Sequence, residues 1–221
     1  MVQRRGTYVI SAKTGLEYLN RDAYVDGGPA TEECDIHTHS LPLPIQFAIH
    51  VRLTNEVKEL EKESLEGLEK VGFKLDYGHD GSGMHRLFMT RAGGYTIDVG
   101  ATQLIVDGKI KVVQSPGGIK GFSEKGLVLD DDRELEADIV VLAIGYDNMR
   151  TTLRKILGDK VADRVGDVWD LDDEGELNGV WRPSGHPKFW YMAGSLTLAR
   201  VYSKFLALQI KAEELGMRDN L

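Results

Sequence analysis

The sequence predicts an α/β fold built around a parallel sheet. Two nearly continuous apolar runs, 137–144 and 189–193, each end at a glycine, Gly145 and Gly194 respectively. Such runs are typical of strands that are covered on both faces, as they are in parallel sheets. A long apolar helix is predicted directly after the second run, over about 196–215, and a strand followed by a helix is the repeating unit of α/β proteins.

Composition narrows the classes of protein that the chain can belong to. The 221 residues carry 27 basic and 35 acidic side chains, so the formal net charge is 27 − 35 = −8. This acidic balance argues against a nucleic-acid partner, because a phosphate backbone repels negative charge. We expect no transmembrane segment, since no apolar run approaches about 18 residues, and no secretory signal, since no apolar segment follows Arg5. The single cysteine, Cys34, excludes an internal disulfide and favours a cytoplasmic location.

The first half of the chain alternates short strands with helices. Extended segments are expected at Val2–Gln3 and at 8–10, on either side of Arg4 and Arg5. Residues 21–45 have the glycine and proline content of a loop. Apolar side chains at helical spacing predict helices over 45–71, 84–91 and 101–106.

Strand patterns dominate the second half of the chain. Residues 110–113 and Gly126–Leu129 are predicted strands, and the polar segment 130–133 is predicted to be an exposed hairpin turn. In the final helix apolar residues occupy most of the circumference, which predicts that it is buried on nearly all sides.

The turn after the second apolar run is a candidate ligand site. Ala193, Gly194 and Ser195 are small, so a ligand can approach the backbone closely there. The following helix begins near Leu196, and its first turn offers free N–H groups and a partial positive charge to an anionic or electron-rich group. The alternative is an ordinary strand–helix unit with no ligand.

A second candidate lies at the end of the first apolar run. Ala143 and Gly145 are small enough to let another chain or a cofactor pass close by, and Tyr146 follows them directly. The alternative is a strand that simply ends at a glycine.

Arg4 and Arg5 are the third candidate. In a dinucleotide-binding fold, an arginine at the end of the second strand favours a 2′-phosphate on the adenosine ribose, which a guanidinium can bind through two hydrogen bonds. The alternative is ordinary surface charge. Cys34, His37 and His39 have metal-ligand spacing but lack the fourth ligand of a structural zinc site, so no metal site is predicted.

Taken in order, these segments resemble the flavin-containing monooxygenases, in particular their fungal branch. The resemblance is carried by residues 1–11, 137–147 and 189–211, and by the shorter matches at 94–100 and 181–186. The segment 143–146 corresponds to the A-T-G-Y linker motif of that family, with Ile144 where threonine is usual.

The resemblance implies two cofactors, FAD and NADPH. It implies that Arg4 binds the 2′-phosphate of NADPH, with Arg5 beside it where many members have serine. Ala143, Gly145 and Tyr146 match the linker between the nucleotide domains. Gly194, Ser195 and Leu196 match the segment that packs beside the flavin. The resemblance therefore implies that these residues bind the cofactors, and it assigns no catalytic side chain.

The resemblance also implies the reaction and the domain plan. NADPH reduces FAD, and the reduced flavin takes up O₂ as a C4a-(hydro)peroxyflavin that oxygenates a small organic substrate. The family's glycine-rich FAD and NADPH motifs have no counterpart here, so the expected fold is an incomplete two-dinucleotide-binding, Rossmann-like flavoprotein fold. Residues 1–148 would be the C-terminal part of the NADPH-binding domain with a helical insertion. Residues 149–221 would be the C-terminal part of the FAD-binding domain.

An incomplete fold of this kind leads to expectations about the activity and the association of the isolated chain. The chain alone is expected to be inactive and to self-associate through an exposed sheet edge. The alternative from another class is a non-catalytic nucleotide-binding remnant or interaction module. A relative of the disulfide reductases is disfavoured, because one cysteine cannot form their dithiol.

Overall fold

A computed structural model describes residues 1–217 and shows a mixture of helices and strands, with the strands in small sheets. The strands are β1 (Val2–Gln3), β2 (Tyr8–Ser11), β3 (Tyr95–Asp98), β4 (Val113–Gln114), β5 (Ile119–Phe122), β6 (Gly126–Leu129) and β7 (Glu134–Glu136). The helices are α1 (Glu17–Asn20), α2 (Thr31–His39), α3 (Leu43–Leu60), α4 (Lys62–Lys70), α5 (Gly83–Arg91), α6 (Ala101–Val106), α7 (Met149–Leu157), α8 (Asp159–Ala162) and α9 (Leu196–Glu214). A π-helical turn, Ala12–Leu16, joins β2 to α1.

The described chain divides into two compact units. The first consists of Met1–Asp22, Ala48–Phe88 and Gly93–Gly145, and the second of Ala23–Phe47, Met89–Ala92 and Tyr146–Leu221. The predicted domains meet at residue 148, whereas the second unit also takes in two earlier segments. Residues 218–221 of the second predicted domain lie outside the described residues.

Three small sheets form the β structure of the first unit. β1 pairs in parallel with β4, and β2 pairs in parallel with β3 from Tyr8 opposite Tyr95 to Ser11 opposite Asp98. β5, β6 and β7 form an antiparallel sheet in that order. The predicted strands at β1, β2 and β6 are confirmed, and the predicted turn at 130–133 connects β6 to β7.

Strand β2 organises the core of the first unit because both of its faces are buried. Tyr8 and Ile10 pack in a cluster with Val57 and Leu87. Val9 points to the other face and packs in a cluster with four further buried side chains, Leu65, Leu68, Phe73 and Ile105. Burial on both faces is the environment expected for a strand of a parallel sheet.

The predicted helix over 45–71 is present as two helices. α3 and α4 are separated at Glu61, whose side chain is buried and whose backbone, with φ −106° and ψ 14°, departs from helical geometry. The prediction of a loop over 21–45 is wrong in part, because it contains α2 and the start of α3. Two acidic side chains, Glu32 and Glu33, lie in the first turn of α2, where they interact favourably with the helix dipole.

The core of the second unit is built largely by α7, α9 and the irregular chain between them. Its buried side chains are Leu153, Ala162, Val165, Val168, Val180, Trp181, Tyr191 and Leu206. The Trp181 ring stacks on Tyr202, with centroids 6.3 Å apart, and this contact fixes α9 against the irregular segment.

The prediction of a buried strand over 137–144 is wrong for the described structure. The segment joins no sheet, and its apolar side chains face solvent, with Ile139 83% and Ile144 78% exposed. A strand needs a neighbour to satisfy its backbone N–H and C=O groups, and none of the described residues supplies one here. The predicted strand over 189–193 is reduced to a single bridge between Val180 and Tyr191.

Helix α9 is present where it was predicted, but it is not buried on all sides. Leu198 and Leu206 face the core of the second unit, whereas Leu196, Phe205 and Leu208 are exposed. Only one face of α9 packs against other described residues. Among residues 1–217, none of the helices combines the length and the apolar character that crossing a bilayer requires.

Candidate functional site

Arg4 and Arg5 lie directly after the carboxyl end of β1 and are exposed. The Arg4 side chain passes over Gly118, since a Cβ placed on that glycine would lie 3.4 Å from Arg4 Cδ. Within residues 1–217 neither guanidinium forms a hydrogen bond or an ion pair. Two unpaired cations beside the end of a parallel strand can bind an external anion.

The turn after β4 faces the same end of this strand pair. The Gly117 N–H donates to Asp130 Oδ2 at 2.9 Å, and the Ser115 hydroxyl also contacts the Asp130 carboxylate. These hydrogen bonds, that of Ser115 above all, hold the pKa of Asp130 below its ordinary value. The Gly117 N–H is therefore already bound by the Asp130 carboxylate. Arg4 and Arg5 are the nearby groups that can still bind an external anion.

At the carboxyl end of β2, the Glu61 side chain binds the backbone at the start of the following helical turn. Its Oε1 accepts hydrogen bonds from Ser11 N at 2.9 Å, from Gly15 N at 3.1 Å and from the Ser11 hydroxyl. A Cβ on Gly15 would lie 2.7 Å from the same oxygen, so the loop closes tightly on the carboxylate. Glu61 thus occupies an anion site at a helix start.

The neighbouring strand β3 ends in the same way. Asp98 Oδ1 accepts from Gly100 N at 3.2 Å and from Thr102 N at 2.9 Å, at the start of α6. Both carboxyl ends of the β2–β3 sheet are therefore capped by side chains of this protein. Sequence reasoning missed both carboxylates. An aspartate two residues before Gly100 is a recognisable turn signal, whereas Glu61 is 50 residues from its partner Ser11 and has no local signal.

The predicted linker residues Ala143, Gly145 and Tyr146 lie in the irregular segment before α7. All three are exposed, and Gly145 has a φ of +88°, which glycine adopts without strain. Asn148 ends this segment by accepting a hydrogen bond from Arg150 N at 3.0 Å, which starts α7.

Gly194, Ser195 and Leu196 lie at the start of α9, as predicted. Ser195 caps the helix, because its Oγ accepts a hydrogen bond from Leu198 N at 3.3 Å. Gly194 has a φ of +99°, and a Cβ there would lie 2.4 Å from Leu198 Cδ1. The serine hydroxyl and the space above the glycine are therefore used by the helix itself.

The eight predicted cofactor residues fall in both units of the chain. Arg4, Arg5, Ala143 and Gly145 belong to the first unit, and Tyr146, Gly194, Ser195 and Leu196 belong to the second. The unpaired arginines fit the 2′-phosphate of NADPH. Of the other six residues, three are exposed (Ala143, Gly145 and Tyr146) and three lie at the start of α9 (Gly194, Ser195 and Leu196).

A polar cluster in the second unit was not found by sequence reasoning. Arg200 donates to both oxygens of Asp35, at 2.8 and 2.6 Å, and the Tyr24 hydroxyl donates to Asp35 Oδ1 at 2.8 Å. These bonds, that of Arg200 first, hold the pKa of Asp35 well below its ordinary value. His39 lies nearby with its ring against Tyr202, and burial lowers the pKa of its imidazole. The cluster joins α2 to α9 across 165 residues of sequence, which explains why no local pattern predicts it.

Cys34 also lies near this cluster. It is buried, and its Sγ accepts a hydrogen bond from Tyr24 N at 3.5 Å. Within residues 1–217, no three histidine, cysteine, aspartate or glutamate side chains are placed to hold a metal ion.

In the first unit, His50 and His85 stack face to face. Their ring centroids are 3.9 Å apart and their planes differ by 7°. Burial lowers the pKa of His50 to about 4.

The chain was compared with known families and with curated proteins. No family model matches it, and no curated protein matches its sequence.

Proposed function

We propose that this chain is the C-terminal part of an FAD- and NADPH-dependent flavin monooxygenase. In this proposal the whole enzyme oxygenates a small organic substrate in the cytoplasm, and the chain alone is inactive. The proposed fold is the incomplete two-dinucleotide-binding fold that the sequence resemblance implies. Residues 1–148 come from the NADPH-binding domain and residues 149–221 from the FAD-binding domain.

The observation that carries the proposal is the unpaired arginine pair after β1. A guanidinium without a carboxylate partner at the carboxyl end of a parallel strand suits the 2′-phosphate that distinguishes NADPH from NADH. In the proposal Arg4 binds this phosphate, while Arg5 contributes positive charge beside it.

The exposed run 137–144 supports the view that the chain is part of a larger body. Both Ile139 and Val141 on one side, and Leu142 and Ile144 on the other, face solvent. Side chains of this kind on both sides of an extended segment are usual where a sheet and its covering helices bury both faces. Further protein chain would supply this cover, and without it we expect self-association.

The flavin would supply oxygen activation in the whole enzyme. No step toward the flavin is assigned to a side chain of this protein. The proposed contribution of this chain is to bind and orient NADPH through Arg4 and Arg5.

Nucleotide titrations test the role of the arginines. Calorimetric binding of 2′,5′-ADP is compared with that of 5′-AMP, because the two differ only in the 2′-phosphate. We expect 2′,5′-ADP to bind about tenfold tighter or more, the range expected for hydrogen bonds to a charged group. Arg4→Ala should remove the difference, and Lys62→Ala, which removes an exposed cation elsewhere in the first unit, should keep it. Equal affinity of the intact chain for both nucleotides would refute the role of Arg4.

A second experiment tests the partial-enzyme assignment. The genomic sequence directly upstream of the Met1 codon is read for an in-frame glycine-rich G-x-G-x-x-G motif, and the extended protein is expressed beside the present chain. We expect the extended protein to hold flavin and to consume oxygen with NADPH, and the present chain to do neither. Turnover by the present chain, or the lack of any such upstream frame, would contradict the proposal.

A non-catalytic nucleotide-binding remnant is the second candidate, and the β2–β3 sheet favours it. Glu61 and Asp98 already fill the anion positions at the ends of these strands. This candidate predicts nucleotide binding at Arg4 with no flavin binding, even in the extended protein.

A further inference from the structure

An apolar seam runs along the exposed side of α9. Val201, Phe205, Leu208, Ala212 and Leu215 follow one another at intervals of four, three, four and three residues. This is the a/d spacing of a coiled coil, which places the side chains in one line. Phe205, Leu208 and Leu215 are 54, 67 and 61% exposed, whereas Val201 and Ala212 are half-buried, so the seam is open to solvent over about 15 Å.

Two lysines border this seam on the side away from the core. Lys204 and Lys211 precede Phe205 and Ala212, at the positions that flank a coiled-coil contact. Lys204 forms no ion pair within residues 1–217. Lys211 lies 3.2 Å from Glu214, an exposed pair of the kind that contributes little and is readily exchanged. The free edge of the seam is therefore basic, in a chain whose net charge is −8.

These charges decide between possible occupants. In an antiparallel pair of copies the lysines of one α9 would face those of the other, which is unfavourable. In a parallel pair they would face Tyr202 and Gln209, which carry no charge to pair with them. An anionic membrane would attract the two lysines but repel the acidic chain as a whole. A helical partner needs carboxylates only beside the two lysines, so it repels the rest of the acidic chain less than an extended anionic surface does.

We propose that the seam of α9 docks an amphipathic helix of another polypeptide, whose apolar a/d positions are bordered by glutamate or aspartate. The partner's apolar side chains cover Phe205, Leu208 and Leu215. Its carboxylates pair with Lys204 and Lys211. This function as an interaction surface is separate from nucleotide binding at Arg4.

The test uses two labelled peptides and the full chain. Each peptide has three heptads with leucine at a and d, and the flanking e and g positions are glutamate in one and lysine in the other. Fluorescence anisotropy measures their binding. We expect the glutamate peptide to bind about tenfold tighter than the lysine peptide, as two exposed charge pairs allow. Lys204→Glu combined with Lys211→Glu should reverse this preference.

A second pair of variants tests the apolar part of the contact. Phe205→Ser with Leu208→Ser should reduce binding of the glutamate peptide by roughly tenfold or more. Ile156→Ser, at a position in α7 that is 71% exposed, should leave binding unchanged. Circular dichroism of each variant establishes that the fold is retained, and the charge-reversal variants carry the test if the serine variants unfold.

Three results would overturn the proposal. One is equal binding of both peptides that the charge reversal does not alter. Another is a dimer of the chain, seen by sedimentation equilibrium, that the serine variants dissociate, because a second copy would then cover the seam. The third is that phosphatidylcholine–phosphatidylserine vesicles bind the chain through the seam while the glutamate peptide does not.

Discussion

Replacing Glu61 changes the acceptor that holds together the carboxyl end of β2. In the folded protein its Oε1 accepts from Ser11 N at 2.9 Å, from Gly15 N at 3.1 Å and from the Ser11 hydroxyl, and the residue is only 8% exposed. Glu61→Ala leaves two backbone N–H groups without this acceptor. Ser11 Oγ still accepts from Gly15 N at 3.2 Å, so part of the loss is recovered.

The expected loss follows from these contacts. A hydrogen bond to a charged group contributes about 1.5–3 kcal/mol, and an unsatisfied buried donor costs about 1–3 kcal/mol. With Ser11 N–H left unpaired and Gly15 N–H partly satisfied, we expect Glu61→Ala to lower the free energy of unfolding by about 3 kcal/mol. Glu61→Gln keeps the shape but removes the charge, and we expect a loss of about 1–2 kcal/mol.

Urea unfolding followed by circular dichroism measures both variants against Glu59→Ala. Glu59 is an exposed glutamate on α3, two residues earlier, and its replacement should change stability by less than about 0.5 kcal/mol. If Glu61→Ala were no more destabilising than Glu59→Ala, the conclusion that Glu61 holds this loop would be wrong.

Three further predictions concern other positions. Gly6→Ala should destabilise the chain by about 1–3 kcal/mol in urea unfolding, because its Cβ would lie 2.9 Å from the Leu75 carbonyl oxygen; an unchanged midpoint would contradict the close approach. The pKa of His50 is about 4, below its value of about 6.5 in the unfolded chain, so its contribution to stability is fully present above pH 6.5 and is lost as the pH falls toward 4. The loss is at most about 3 kcal/mol, and His50→Gln should flatten the profile; an equally steep profile in this variant would assign the slope to other groups. Arg200→Lys removes the two-point contact with Asp35, so the pKa of Asp35, measured by NMR titration, should rise toward its ordinary value; an unchanged pKa would rule out Arg200 as its main cause.

Local patterns predicted the elements whose formation depends on nearby residues. The helices α5 and α6, the strand β6 and the turn after it lie where spacing and turn residues placed them. In each case the partner groups are a few residues away, as in a helical turn or a hairpin, so a short window of sequence contains the information.

The candidate site was harder to predict because its contacts are distant in sequence. The position of Arg4 after a strand follows from the sequence, and its lack of a partner is a property of the tertiary structure. Ser195 shows the opposite case, since this residue of the predicted ligand turn uses its hydroxyl to cap α9. Glu61 and Arg200 contact partners that are 50 and 165 residues away in sequence. No local sequence pattern predicts these two contacts.

The sequence by itself determined the mixed α/β class, the acidic charge, the arginine pair after β1 and the apolar character of 137–144 and α9. Only the tertiary structure decided which of these apolar residues are buried. An apolar pattern states what a segment gains by burial, but a strand also requires a neighbour for its backbone hydrogen bonds. The same run 137–144 that reads as a core strand therefore stays in solvent, and the second face of α9 is left open.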